Sequence, residues 1–376
     1  METVDKRPRL LYIDNIRWSM IILVVIIHAN VIYGPVGQFF DAKDRSTAGD
    51  ASDIAFMTMS ILFQTFFMGL LFLIAGYFVS GSLERKGTRV FVKERFMRLV
   101  VPSLVFIFFL APAITYPLHV SDDMSLAEYL VRYLPNPLNW DSGPMWFAIA
   151  LFVFSGVFAL APGSRIWKLS FPKLSKKLVL GLMLIIGAGT FLVRIPFPIN
   201  TDVWNMQLCF FTQYVVFFVV GVLAYRNKWL ESLTKQDGRF WLIVAVASFF
   251  LLMLPSMALG GALDDELDPF YGGLQWQAAV LAVWEQIFGV GISIWLLVWY
   301  RERHNSQSWL RKKLSDNSFS VYLFHPPFII IIGYLLLETG LPAFAKFLIV
   351  AAGTLAVTFT LSELVFRRIP GLKRIL

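Results

Sequence analysis

Ten runs of mostly apolar residues recur along the 376-residue chain, at approximately 13–33, 54–80, 96–118, 144–161, 178–194, 204–225, 240–259, 276–300, 318–337 and 344–366. A helix crossing a hydrocarbon core of about 30 Å needs roughly 20 such residues, so each run reads as a transmembrane segment, the fourth and fifth being the shortest. Spanning segments must satisfy their backbone polar groups internally, and continuous apolar runs of this length do so as helices. Composition agrees: 57% hydrophobic and 15% charged residues stand against about 45–50% and about 25% in soluble domains. A soluble globule is excluded. The 16% aromatic content also excludes a disordered chain, which lacks the residues needed to bury surface. No polar stretch between runs is long enough for a second globular unit. The expected fold is an all-α integral membrane protein, a ten-transmembrane-helix bundle forming one domain over residues 1–376.

The net charge of +8 would suggest a nucleic-acid partner only if it formed a patch, so its distribution decides. One side collects the N-terminus, residues 81–95, 162–177, 226–239 and 301–317, and the tail from Arg367. With Arg17 and Arg98 at adjacent helix ends, it holds 28 of the 33 Lys and Arg; Lys43, Arg45, Arg132, Arg194 and Lys346 lie opposite. By the positive-inside rule both termini are cytoplasmic, as an even number of spans requires. The opposite loops carry Asp41, Asp44, Asp50 and Asp53, then Asp122, Asp123, Glu128 and Asp141, then Asp264, Asp265, Glu266 and Asp268. Trp140, Trp146, Trp204 and Trp276 fall near outer helix ends, and Trp167, Trp229, Trp241, Trp299 and Trp309 near inner ends, as aromatic belts do. The basic excess is a topology signal, and no nucleic-acid role is expected. Lys6, Arg7 and Arg9 ahead of Ile16–Tyr33 mimic a signal peptide, but that run is too long, carries Arg17 and His28, and ends without a small-residue cleavage site. It is the first span. The single Cys209 permits no intrachain disulfide, no metal site is expected, and the lack of an evident internal repeat disfavours an inverted-repeat transporter.

Ionisable groups inside spans are costly and are functional candidates by default. In the first span Asp14, Arg17 and His28 are separated by 3 and 11 residues, spacings that return to one helix face and set His28 roughly 16 Å beyond Arg17. A neutral imidazole there suits a general base, whereas Arg17, always protonated, suits a carboxylate or phosphate. The competing readings are that Arg17 snorkels and pairs with Asp14, and that His28 bonds a neighbouring helix. Residues 83–99 form the densest basic cluster, with Arg85, Lys86, Arg89, Lys93, Arg95 and Arg98. Arg95 and Arg98 share one face of an amphipathic lead-in and read as a phosphate clamp or, alternatively, as a positive-inside loop. Glu285 is the deeper in-span carboxylate, suited to orient a histidine or bind a polar substrate; Glu363 pairs with Arg367 and Arg368. His325 precedes Pro326 and Pro327, which disturb the ninth helix and free carbonyls, so it reads equally as structural or catalytic. His119 and His304 lie in loops and are given no role.

The chain resembles membrane acyltransferase family 3 over almost its whole length. Four segments carry the resemblance: Tyr12-Ile-Asp-Asn-Ile-Arg17 continuing to His28; Phe72-Leu-Ile-Ala-Gly-Tyr-Phe78 followed by Arg95-Phe-Met-Arg98-Leu-Val-Val-Pro102; Gly143-Pro-Met-Trp146-Phe147; and Ser320-Val-Tyr-Leu-Phe-His325-Pro-Pro327. The ending from Glu363 is similar as well. The resemblance implies an O-acyltransferase that moves an acyl group from cytoplasmic acyl-coenzyme A to a hydroxyl of an extracytoplasmic glycan or glycolipid. It implies His28 as the catalytic histidine, Arg17 as its companion, and Arg95 with Arg98 at the coenzyme end. The lack of an added extracytoplasmic domain is similar to the succinyl-transferring glucan biosynthesis protein C branch and to simple acetyltransferases.

The resulting expectation is an acyl-coenzyme A-dependent transferase of the bacterial cytoplasmic membrane, with acetyl- or succinyl-coenzyme A as co-substrate and no tightly bound cofactor. Its catalytic residues are His28, Arg17 and Glu285, its coenzyme contacts Arg95, Arg98, Arg89 and Lys93, and its further candidates Asp14, Trp146 and His325. The bilayer, the donor and the acceptor are its partners, with a homodimer open. The competing class is a polysaccharide or proton-coupled transporter, with His28, Arg17 and Glu285 along its path.

Overall fold

The computed structural model describes residues 9–37, 39, 43–119, 124–161, 169–170, 173–264 and 266–373. Lys6, Arg7, Asp41, Asp122, Asp123, Trp167 and Asp265, with their expected places in the topology and the aromatic belts, and the side chain of His119 lie outside the described residues.

Among the described residues, ten helices are long and apolar enough to cross a membrane. They are α1 (Leu11–Tyr33), α2 (Asp50–Lys86), α3 (Thr88–Pro117), α4 (Gly143–Leu160), α5 (Lys176–Arg194), α6 (Leu208–Arg226), α7 (Lys235–Leu259), α8 (Trp276–Arg303), α9 (Trp309–Leu335) and α10 (Ala343–Arg368). Every expected span has its helix. The largest differences lie where polar lead-ins continue the helix beyond the apolar run: α9 starts at Trp309 and α3 at Thr88. Starts follow capping chemistry. Ser175, Thr234 and Ser308 each accept a backbone N–H from three residues ahead, satisfying donors that a first helical turn leaves free. Helix α8 is central, with 78% of its most apolar window buried, against 17% for α7. The outward sides of α4 and α7 bare Leu160, Leu251 and Leu259, as a lipid-facing surface requires.

Prolines shape α3 and α7. Wide π-type turns occur at Phe96–Val100 and Phe106–Leu110 in α3 and at Phe249–Met253 in α7, each ending two residues before a proline, Pro102, Pro112 or Pro255. Proline lacks the N–H for the preceding turn and its ring crowds the carbonyl four residues back, so the helix widens there. In α9, by contrast, Pro326 and Pro327 sit inside an unbroken helix.

Two close approaches fix the inner bundle. A Cβ on Gly76 of α2 would meet the Phe218 carbonyl at 2.1 Å, and one on Gly221 of α6 would meet the Leu73 carbonyl at 2.0 Å. The two backbones therefore touch, and no larger residue fits either place. Helix α2 itself is interrupted at Thr65 and Phe66, where the Thr65 carbonyl accepts from Gln213 Nε2 at 2.8 Å. That break places Gln64 beside the far half of α1.

The last turn of α1 is tied down by the following segment. Lys43 Nζ donates to the Val31 and Gly34 carbonyls at 2.8 and 2.9 Å, and Arg45 Nη1 to the Tyr33 carbonyl at 2.5 Å. Cations at carbonyls of a helix C-terminus are favourable. Between them, Asp44 accepts from the fully buried Lys346 Nζ of α10 at 2.9 Å and from Ser46. Burial works to raise the Asp44 pKa, but the bonds from Ser46 and Lys346 outweigh it and hold the carboxyl below its ordinary value. Burial and then the Arg45 charge bring Lys43 down to about 8. His28 sits just before this clamped turn.

Candidate active site

At the end of the bundle rich in Lys and Arg, a cavity of about 300 Å³ opens between α1, α2, α3, α4 and α9. Arg17, Lys86, Arg95 and Arg98 line it, and its one lining carboxylate among the described residues, Glu94, is paired with Lys86. The π-type turn at Phe96–Val100 directly follows Arg95 and contains Arg98, and the Arg95 guanidinium lies 5.2 Å from the centre of the Phe91 ring. Arg17 joins them from α1. Its contact with Asp14 is long, 3.8 Å, because Asp14 is held by Arg9 at 2.7 Å, and 54% of the Arg17 side-chain surface is open. Three guanidinium groups face one space, and each can give two parallel hydrogen bonds, a chemistry suited to phosphate or carboxylate. The remaining wall is apolar and aromatic, including Phe147, Leu151 and Tyr322.

A second cavity, of about 160 Å³, lies deeper and toward the opposite end; His28, Phe39, Gln64, Trp146, Asn205 and Gln207 line it together with Tyr322. His28 Nδ1 lies 2.8 Å from Nε2 of His325, and the two rings are within 4° of parallel with centroids 5.0 Å apart. The contact is edge to edge in nearly one plane, the geometry of a hydrogen bond. His325 is fully buried, and its other nitrogen, Nδ1, lies 2.8 Å from the Tyr322 carbonyl. Pro326 explains that contact. In an ordinary helix the N–H of residue 326 would bond the carbonyl of residue 322, and proline has none. A carbonyl only accepts, so His325 Nδ1 carries the proton and its Nε2 accepts; His28 must then donate through Nδ1. His28 Nε2 is left with its lone pair, on a ring that faces the cavity. The Phe39 ring covers the imidazole at 4.4 Å.

The stripe expected on α1 thus serves two cavities: Arg17 opens into the first and His28 into the second. Trp146 borders the His28 cavity and stacks on Tyr214 at 5.7 Å. Arg89 and Lys93 are exposed on α3 and are not brought to the first cavity. Glu285 does not touch His28. Its carboxylate accepts from Nη2 of the fully buried Arg194 at 2.7 and 3.0 Å, and it lines a third cavity of about 150 Å³ that shares Ile27, Val31, Gln64, Gln207 and Phe210 with the His28 cavity. Glu363 is held by Lys313 and Asn317 of α9 as well as by Arg367. His304 lies outside the helices near Arg311, 3.2 Å from its Nη2; burial, then the charges of Arg311 and Arg303, lower its pKa. Asn15 clasps the same loop through the His304 and Ser306 carbonyls at 2.6 and 3.0 Å. Reading the sequence alone missed Lys86, Phe39, Gln64, Gln207 and Tyr322 as site residues. Lys86 carried a signal as part of the basic cluster, and Tyr322 as the residue four positions before Pro326.

A family model described as an acyltransferase domain matches residues 10–363. No curated protein and no solved structure matches the chain.

Proposed function

Because the chain belongs to acyltransferase family 3, whose match over residues 10–363 reaches into all ten spans, we propose that it is a membrane O-acyltransferase drawing its acyl group, acetyl or succinyl, from acyl-coenzyme A. The coenzyme binds at the basic end through Arg17, Arg95 and Arg98, with Lys86 nearby, and that end faces the cytoplasm of a bacterial inner membrane. The acceptor, a glycan or glycolipid hydroxyl, enters the His28 cavity from the extracytoplasmic side. Membership in the family favours an enzyme over the polysaccharide or proton-coupled transporter that buried polar groups alone would also allow.

The reading rests most on one observation, the pair of His28 with a His325 whose other nitrogen is engaged by the Tyr322 carbonyl. It supports His28 Nε2 as general base. The acceptor hydroxyl attacks the thioester carbonyl while Nε2 takes its proton; the oxyanion collapses, the C–S bond breaks, and the imidazolium returns the proton to the departing thiolate. His325 holds the ring and tautomer and stabilises the imidazolium by accepting from Nδ1. Amide groups of Gln64, Asn205 and Gln207 are suited to hold a polyhydroxy acceptor, with Trp146 as an apolar wall. Glu285, expected to share in catalysis, instead anchors Arg194. Thermal stabilisation of the purified protein by coenzyme A tests the donor site: saturable stabilisation that Arg95→Ala/Arg98→Ala removes is the expected result, and its absence from the unaltered protein would argue for transport.

A further inference from the structure

Tyr322 alone among the site residues lines both the arginine cavity and the His28 cavity. Its ring is 4% exposed and its hydroxyl donates to the Pro144 carbonyl. That carbonyl belongs to the short first turn of α4, Gly143–Met145, where Gly143 has a φ of +45°. The turn is itself anchored: Ser142 Oγ donates to the Trp204 carbonyl at 2.7 Å, and the Ser142 and Gly143 N–H groups bond Asn205 Oδ1 and Asp141 Oδ1 at 2.9 and 2.7 Å. On the arginine side, Phe319 stacks on Tyr322 at 6.1 Å and Phe147 meets it edge-on at 6.2 Å. On the other side lies His325, at 6.4 Å.

We propose that Tyr322 is a movable septum between donor and acceptor cavities, which the thioester displaces in order to reach His28. The inference rests on the acyl-transfer reading for its purpose but on the two cavities for its geometry. A permanently open passage between the arginines and His28 would admit water to the thioester and leave a wet path through the bundle, whereas a closed active site suppresses such side reactions. Swinging the ring breaks the hydroxyl's hydrogen bond to the Pro144 carbonyl and its contact with the Ala148 N–H, and leaves the Tyr322 backbone carbonyl where it holds His325. The septum therefore opens without disturbing the tautomer of the histidine pair. Tyr322 is a positioning residue: it touches the path of the donor and does not take part in proton transfer.

Accessibility separates the septum from the chemistry. Met68 lines the His28 cavity, so a Met68→Cys variant in a Cys209→Ser background carries one thiol behind the septum. Sealed vesicles of both orientations are treated with a charged, membrane-impermeant methanethiosulfonate. From the Arg98 side, labelling is expected to be slow with Tyr322, about two- to tenfold faster with Tyr322→Phe, which loses the hydroxyl's hydrogen bonding but keeps the ring, and faster again with Tyr322→Ala. Labelling from the opposite side should not change. Acceptor-free release of coenzyme A from acetyl-coenzyme A should rise in the same order while transfer falls. Equal labelling from the Arg98 side in all three folded proteins overturns the septum; if Tyr322→Ala does not fold, the Tyr322→Phe rate alone decides. Because labelling needs no acyl chemistry, a graded labelling response without any coenzyme A release would count against the transferase reading and not against the septum.

Discussion

His28 Nδ1 and His325 Nε2 meet at 2.8 Å across 297 positions of sequence, and the second nitrogen of His325 is taken by a carbonyl that Pro326 cannot serve. The proton order along this chain of contacts follows from its end, where the Tyr322 carbonyl at 2.8 Å and the Val321 carbonyl at 3.3 Å can only accept. In the proposed reaction this order leaves His28 Nε2 as the base, with no carboxylate behind it among the described residues.

If His325 sets the tautomer and orientation of His28, its loss should weaken catalysis without abolishing donor binding. His325→Ala is expected to lower kcat by about 10–100-fold, the usual cost of removing a partner that orients a functional histidine, with little change in KM for acyl-coenzyme A. The pH profile of kcat should shift as well, because the imidazolium of His28 loses its acceptor. A merely structural His325 would lower the amount of folded protein and leave the profile of the remainder where it was.

The three arginines are expected to act on donor affinity. Charge-assisted hydrogen bonds are worth roughly 1.5–3 kcal/mol, so Arg95→Ala and Arg98→Ala should each raise the Kd for coenzyme A by at least about tenfold. Arg89→Ala and Lys93→Ala, on the exposed face of α3, should leave it within about twofold, as surface charges contribute little. Calorimetric titration of the detergent-solubilised protein with coenzyme A measures both, and comparable losses at all four positions would contradict the assignment.

Arg194 and Glu285 form a buried pair. Removing one member strands the other, at a cost of about 3–5 kcal/mol, while replacing both by apolar residues of similar size costs far less. Glu285→Ala should therefore lower the melting temperature more than the double change Arg194→Met/Glu285→Leu. A Glu285→Ala protein that melts normally but no longer transfers acyl groups would instead make this carboxylate part of the reaction.

The clamp on the end of α1 predicts an acid limit. Asp44 has a lower pKa folded than its ordinary 3.8, so the unfolded state binds more protons in this range. Its contribution is complete above pH 3.8 and disappears as pH falls through the lower folded value. The melting-temperature difference between the unaltered protein and Asp44→Asn should be constant at pH 5–7 and shrink below pH 3.8. A difference independent of pH down to denaturation would show that the Asp44–Lys346 contact contributes nothing through charge.

Much of the fold was legible because hydrocarbon tolerates so little: each apolar run had to be a helix, and each became one. The basic end could be anticipated from charge; Arg17, expected as the companion of His28, joins Arg95 and Arg98 there instead, because the length of α1 between the two residues sets them in different cavities. What pairs with His28 could not be anticipated, since periodicity places residues on a face and says nothing of which distant helix that face meets. Depth alone suits Glu285 to orient a histidine or bind a polar substrate, yet Arg194, one of the basic residues at the opposite helix ends, reaches inward to neutralise it. Tyr322 was hidden for a different reason: an aromatic residue in an apolar run has no signature until a cavity is found on each side of it. Only the proline after His325 offered a clue, and it marks the Tyr322 carbonyl, not its ring.

The most direct test of the account is the acyl content of surface glycans, measured by mass spectrometry in cells lacking the gene and complemented with either the unaltered protein or His28→Ala. With equal amounts of both proteins in the membrane and equal stabilisation of both by coenzyme A, the acyl mass increment should return with the first and stay absent with the second. Restoration of the increment by His28→Ala would contradict the central claim.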